Sequence, residues 1–106
     1  MPKKSLALLT ESMFYVLMAF SQGEMCGIDV SECVERRSGG RVRLGPATLY
    51  TILARFEKEK YIVETAVEGR KRTYAITARG RAAYEDELVR LQAMLDDARE
   101  GDTCHD

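Results

Sequence analysis

Residues 44–62 read Leu44-Gly-Pro-Ala-Thr-Leu-Tyr-Thr-Ile-Leu-Ala-Arg-Phe-Glu-Lys-Glu-Lys-Tyr-Ile62. Pro46 has no N–H and a fixed φ, which suits the first turn of a helix. Leu49, Ile52, Leu53 and Phe56 then recur at helical spacing and form one apolar stripe. The opposite side carries Ala47, Thr51, Ala54 and Lys58, with Thr48 and Arg55 on one edge and Tyr50 on the other. A solvated helix face is normally rich in charge, whereas small side chains, hydroxyls and a few cations suit a helix that lies close to a flat anionic surface. The major groove of DNA is such a surface, because it admits a helix whose N-terminal residues reach base edges. The same stripe would also serve an ordinary core helix, so the neighbouring segments have to decide.

Charge distribution is the first of these. The chain has 106 residues, 45% of them hydrophobic and 31% charged, which suits one folded domain with one core. A formal net charge of −1 does not by itself suggest a polyanion partner. Residues 1–35, however, hold 2 basic and 5 acidic side chains, residues 36–81 hold 12 and 4, and residues 82–106 hold 2 and 8. A basic middle between acidic ends is the electrostatic footprint of a localised polyanion-binding face. No apolar run is long enough to span a membrane, and Met1-Pro-Lys-Lys leads into an amphipathic helix rather than a signal peptide. The expectation is a cytoplasmic protein without a membrane partner.

Upstream of the quoted stretch, residues 5–21 read as a first helix. Leu6, Leu9, Met13, Val16, Leu17 and Phe20 lie on one side, and Leu8, Tyr15 and Met18 extend the apolar surface around it. One face is therefore expected to pack against another subunit. Gly23 supplies a positive φ where that helix ends. Residues 27–38 give a second helix, with Val30, Cys33, Val34 and Arg37 on one edge, closed by Ser38-Gly39-Gly40. With the third helix this makes a tri-helical helix-turn-helix core.

Downstream, after Lys60, the period becomes alternating. Residues 61–67 and 70–77 read as two strands joined at Glu68-Gly69. Counting back from that turn pairs Val67 with Arg70, Thr65 with Arg72, Val63 with Tyr74 and Tyr61 with Ile76. Apolar residues meet at the base and cations gather at the tip. Such a hairpin directly after a recognition-type helix is a wing, with Arg70, Lys71 and Arg72 placed to reach phosphates or the minor groove. Thr77 then caps a last helix predicted to run to about Arg99. Within it Tyr84, Leu88, Leu91, Leu95 and Ala98 alternate at spacings of four and three, a short heptad seam that calls for a partner subunit.

Catalytic and metal chemistry find little support. Cys104, His105 and Asp106 are the residue types of a nucleophilic triad, but three consecutive residues at a terminus cannot be preorganised as nucleophile, base and orienter. Cys26, Cys33 and Cys104 lack metal-type spacing and read as reduced thiols. No Gly-rich phosphate loop or paired-carboxylate site is evident, so the expectation is a non-enzyme without cofactor or metal.

Several stretches in order resemble the PadR-like family of bacterial transcriptional regulators. They are Leu9-Thr-Glu-Ser-Met-Phe-Tyr-Val-Leu17, Gly27-Ile-Asp29, Leu44-Gly-Pro-Ala-Thr-Leu-Tyr50, Arg55-Phe-Glu-Lys-Glu59, Gly69-Arg-Lys-Arg-Thr-Tyr74, and Ile76-Thr77 with Gly80. The resemblance implies a dimeric winged helix-turn-helix protein, usually a repressor on a palindromic operator, often released by a small aromatic or drug-like ligand. The single final helix is similar to the smaller of the family's two size classes. Cys26 and Ile28 stand where the family often has His and an aromatic residue, and Lys60 stands where it commonly has Gly. The chain has no Trp, so a ligand site built on tryptophan stacking is not carried over.

The expected fold is mainly α with a small β-hairpin: a winged helix-turn-helix domain over residues 1–80, a dimerisation helix over 81–100 and a flexible tail over 101–106. The expected function is sequence-specific binding of double-stranded DNA by a homodimer, through Ala47, Thr48, Tyr50, Thr51, Arg55, Lys58, Arg70, Lys71 and Arg72. Tyr84, Leu88, Leu91 and Leu95 are the expected dimerisation residues. Following the resemblance, a small-molecule effector is expected at the dimer interface near Phe14 and Tyr15. The competing reading is a protein-interaction module that uses the third-helix face without DNA. Operator sequence, effector identity, repressor against activator, target genes and any redox role of the cysteines stay open at this level.

Overall fold

The computed structural model describes residues 9–104 in backbone and residues 9–100 with side chains. Four helices and a three-stranded antiparallel sheet follow in the order α1 (Glu11–Phe20), β1 (Met25–Cys26), α2 (Gly27–Arg37), α3 (Pro46–Lys58), β2 (Ile62–Glu68), β3 (Lys71–Ile76) and α4 (Ala78–Cys104). The class is the expected one. One core unites Val16, Leu17 and Phe20 of α1, Val30 and Val34 of α2, the whole predicted stripe Leu49, Ile52, Leu53 and Phe56 of α3, and Ile62 and Tyr74 of the sheet.

The start of α1 is set by Thr10, whose extended backbone leaves its hydroxyl free to accept the Met13 N–H at 3.1 Å. The helix therefore begins at Glu11; residues 5–8 of the longer predicted helix lie outside the described residues. Arg37 does not join the apolar edge of α2 as predicted. An unpaired guanidinium has no place in the core, and Arg37 is exposed while burial passes to Ser38. The Ser38 hydroxyl accepts the Val42 N–H at 2.9 Å and ties down the chain between α2 and α3.

At the end of α3 the Lys60 N–H bonds the Glu57 carbonyl at 3.0 Å and the Tyr61 N–H bonds the Phe56 carbonyl at 2.8 Å. This pair of bonds is a Schellman motif, which needs a left-handed residue between helix and strand. Lys60 takes that position with φ 66°, the strained backbone expected from its standing where glycine is common.

The hairpin differs from its predicted register. Glu68 pairs with Lys71, so the two-residue turn is Gly69-Arg70 rather than Glu68-Gly69. Gly69, at φ 63°, supplies the positive φ that a tight hairpin turn needs at its first central position. Val67 consequently faces Arg72, not Arg70, and Ala66 faces Thr73. A bulge at Thr65 then inserts one residue, so that Glu64 faces Tyr74 and Ile62 faces Ile76. Sequence counting could not see that bulge, because its cause is tertiary: it turns Ile62 into the core beside Tyr74 while Val63 stays exposed. A further element, β1, was not foreseen. Two residues are too short to show alternation, but Met25 and Cys26 pair with Tyr74 and Thr73 and anchor the base of the wing.

Thr77 closes the hairpin and opens α4. Its hydroxyl lies 2.6 Å from the Lys60 carbonyl and accepts the Gly80 N–H at 3.0 Å, as predicted for the N-cap. A Cβ on Gly80 would collide with the Tyr61 carbonyl, so this crossing of α4 over the end of α3 requires glycine. From there α4 continues to Cys104, past the predicted end near Arg99. Gly101–Cys104 thus extend the helix instead of forming a separate tail, each residue adding a hydrogen bond to an existing ladder; residues 105–106 are outside the description. No helix among the described residues is long and apolar enough to cross a membrane.

Candidate nucleic-acid interface

The packing of α3 divides its residues cleanly. Because Leu49, Ile52, Leu53 and Phe56 are buried, Ala47, Thr48, Tyr50, Thr51, Arg55 and Lys58 are all turned outward and exposed. Tyr50 leaves 62% of its surface in solvent, a large aromatic side chain that the chain does not cover. The Thr51 hydroxyl donates to the Ala47 carbonyl one turn back, at 2.9 Å. Its proton is thereby engaged, which leaves the oxygen lone pairs and the methyl group to meet a ligand.

The wing stands beside this face. Arg70 and Lys71, at the tip, are exposed, with no salt bridge to either among the described residues. Arg72 differs, since its guanidinium lies 3.6 Å from the Glu64 carboxylate across the hairpin. That distance is beyond a hydrogen bond but within an ion pair, so Glu64 partly neutralises the innermost of the three cations. Below it, burial pushes the Tyr74 phenol above its ordinary value of 10.0, with the Arg72 guanidinium opposing the shift in part. Tyr74 is therefore a neutral floor to the wing.

Between α3 and the wing runs a groove of about 700 Å³. Its walls include residues that the sequence did not place at the interface: Cys26 and Gly27 at the start of α2, followed by Ile28 and Asp29. A Cβ at Gly27 would meet Leu49 at 3.5 Å and Tyr50 at 3.8 Å, ordinary contact distances, so α2 packs close against α3 here without depending on glycine. The usable signal was Ile28, an apolar residue in the first turn of a helix whose core side begins only at Val30; it is 69% exposed.

The residues expected at the effector site and dimer seam also fall near one another. Phe14 meets Tyr84 of α4 with ring centroids 5.4 Å apart, and Tyr15 accepts a hydrogen bond from Arg41 at 2.9 Å. Arg41 also reaches Glu11 at 3.1 Å and so fastens α1 to the chain leading into α3. A second groove, about 340 Å³, lies between α1 and α4 and is lined by Phe14, Tyr15, Glu87, Arg90 and Leu91 among others. Glu87 is buried and paired with Arg90 one turn on. The predicted seam is thus split: Tyr84 packs on its own domain, Leu91 is half-buried, and Leu88 and Leu95 are exposed together with Val89 and Met94. The reason is that Tyr84 stacks against Phe14 of α1, which covers it within the same chain, whereas Leu91 lines the open groove between α1 and α4. Among the described residues no group of three or more His, Cys, Asp or Glu could hold a metal ion.

Comparison with known proteins adds to this geometry. The family model described as "Transcriptional regulator PadR-like family" matches residues 16–86. An uncharacterised 37.1 kDa protein in transposon TN4556 of Streptomyces fradiae is 34% identical over 88 residues, 80% of this chain and 25% of that protein. The chain therefore spans about a quarter of the length of that relative. A transcriptional regulator from Clostridium thermocellum superposes with TM-score 0.74 at 21% identity, over 88% of this chain and 97% of the other. Bacillus subtilis PadR, solved in complex with operator DNA, gives TM-score 0.64 at 21% identity, over 73% of this chain and 46% of that one. At these identities the structural likeness is one of fold.

Proposed function

This chain belongs to the PadR-like family of transcriptional regulators, and from that premise we propose that it binds a palindromic DNA operator as a homodimer and represses transcription by occupying the promoter. In this reading α3 enters the major groove, with Ala47, Thr48 and Thr51 toward base edges. Tyr50, Arg55 and Lys58 flank it, and Arg70, Lys71 and Arg72 of the wing hold phosphates. Two-fold symmetry of the protein would be mirrored in the operator. The observation that carries the reading is the exposed, weakly charged face of α3 beside a cation-tipped wing. A small aromatic or drug-like ligand acting at the α1–α4 groove, near Phe14 and Tyr15, would release the operator by favouring a different spacing of the two recognition helices.

A mobility-shift titration on the DNA upstream of the protein's own coding region tests this. A discrete complex that survives excess scrambled duplex is expected. Equal affinity for cognate and scrambled duplexes, or no complex even at low salt, would overturn it, the latter favouring a protein-interaction module.

A further inference from the structure

We propose that Arg79 is a positioning residue for operator recognition: it clamps the start of α4 to the end of α3 and thereby fixes the separation of half-sites that the dimer accepts. Carbonyls at the end of a helix have no partner within it, and three consecutive ones leaving α3 are taken up by residues 77–79. The Thr77 N–H donates to the Tyr61 carbonyl at 2.9 Å, the Thr77 hydroxyl to the Lys60 carbonyl at 2.6 Å, and the Arg79 Nε–H to the Glu59 carbonyl at 3.0 Å. Thr77 and Gly80 also serve the N-cap and the close crossing, so the fold depends on them. Arg79 is exposed and makes its bond from the outside. Its guanidinium also lies 6.0 Å from the centroid of the Tyr61 ring, which packs in turn against Phe56 of α3 with centroids 5.7 Å apart. A cation is favoured at a helix C-terminus, and a planar guanidinium can bond a carbonyl and lie over a ring at once.

This inference rests on the reading of the chain as a DNA-binding homodimer. The body of α4 packs on α1 and β3, so its hold on α3 is concentrated in its first residues. The exposed apolar residues that a partner subunit would cover run from Leu88 to Leu95, 9 to 16 residues beyond Arg79. At the helical rise that is a lever of about 14 to 24 Å, and a tilt of about 10° at its base moves the covered surface by about 2 to 4 Å. One base-pair step is about 3.4 Å. Loosening Arg79 therefore shifts each recognition helix by about one base pair relative to the two-fold axis, which changes the spacing read and leaves the contacts of each half intact.

The test uses a duplex selected by the full-length protein from a random-sequence pool, remade with its half-sites moved together or apart by one base pair. The wild type should bind the displaced duplexes at least about tenfold more weakly than the selected one, and Arg79→Ala less than about threefold more weakly. Arg79→Lys, which keeps the charge and a donor, should restore the difference to at least about fivefold. The salt dependence of Arg79→Ala should keep the wild-type slope. Undiminished discrimination in Arg79→Ala overturns the proposal. So does an equal loss on every duplex with a flattened slope, which would make Arg79 a phosphate contact. A second arm contains no DNA. A nitroxide is attached at Ala54→Cys on the exposed face of α3, in a Cys104→Ser background whose remaining cysteines, Cys26 and Cys33, are buried. The distance between the two labels of the dimer should be narrowly distributed in the parent and in Arg79→Lys, and broader in Arg79→Ala. An unchanged distribution overturns the clamp. Absence of duplex binding by the wild type would count against the DNA-binding reading instead, since the label arm stands without it.

Discussion

Lys60 shows how a single backbone angle links sequence to folding energetics. The Schellman motif at the end of α3 demands a left-handed residue, and a side chain there carries a steric penalty that glycine escapes. Lys60→Gly, with the N–H bond to Glu57 kept, is expected to stabilise the fold by about 1 kcal/mol, less the entropy glycine gains in the unfolded chain. Urea denaturation measures it, and a destabilised variant would show that the Lys60 side chain contributes more than its strain costs. Gly80 is the opposite case: no alternative residue fits beneath the Tyr61 carbonyl. Thr51 is constrained more subtly, because its hydroxyl proton is committed to Ala47. Under the proposed function Thr51→Val, which keeps a methyl and loses the oxygen, should cost little on the cognate duplex if a thymine methyl is read. It should cost about 1–3 kcal/mol if a base donor is read. Fluorescence anisotropy on cognate and scrambled duplexes distinguishes these.

The wing is the element whose internal pairing alters what its residues are expected to do. Arg70 and Lys71 form no salt bridge among the described residues, while Arg72 shares its charge with Glu64. Removing a cation that binds phosphate flattens the dependence of log K on log salt by about 0.9 per contact, through counterion release. Arg70→Ala and Lys71→Ala should each show that loss on cognate and scrambled duplexes alike, and Arg72→Ala should show less. Glu64→Gln, which frees Arg72, should steepen the slope. Unchanged slopes in both tip variants would remove the wing from the interface. The hairpin also shows that a bulge can serve packing: the extra residue at Thr65 lets Ile62 and Tyr74 face the core from opposite strands.

For the molecule as a whole the open question is what covers α4. The chain extends 62 Å along its longest axis, against 37 and 22 Å across, and Leu88, Val89, Met94 and Leu95 project from α4 at 42 to 69% exposure. These residues, on the part of α4 that its own domain leaves bare, are the proposed dimerisation surface. Of the predicted seam, Tyr84 packs against the monomer core and half-buried Leu91 lines the α1–α4 groove. Leu88→Asp with Leu95→Asp should therefore give a folded monomer by light scattering, because neither position is needed inside the chain. In a dimer, two unpaired carboxylates would be buried. Leu91→Asp should be more disruptive, lowering the thermal midpoint as well. A wild-type monomer at micromolar concentration, or a dimer that withstands both substitutions, would reject the surface. A dimer is also what would place two copies of α3 for a palindromic operator.

The third helix, the wing and the basic middle of the chain were all legible in the sequence, because each is encoded locally. Helical spacing makes the Leu49–Phe56 stripe, Gly69 marks the turn, and the cations are adjacent in order. The left-handed Lys60 was pointed to by the family resemblance alone, which commonly has glycine at that position. Tertiary structure decided the rest. β1 exists because Met25 and Cys26 find the free edge of β3, and the register shifts because a bulge lets both strands serve one core. The heptad seam divides because Phe14 of α1 claims Tyr84. The groove that joins Ile28, Tyr50 and the wing brings together residues more than forty positions apart. Periodicity reports which face of a segment is apolar; it holds no record of which distant segment arrives to cover that face, and that depends on the packing of the whole chain.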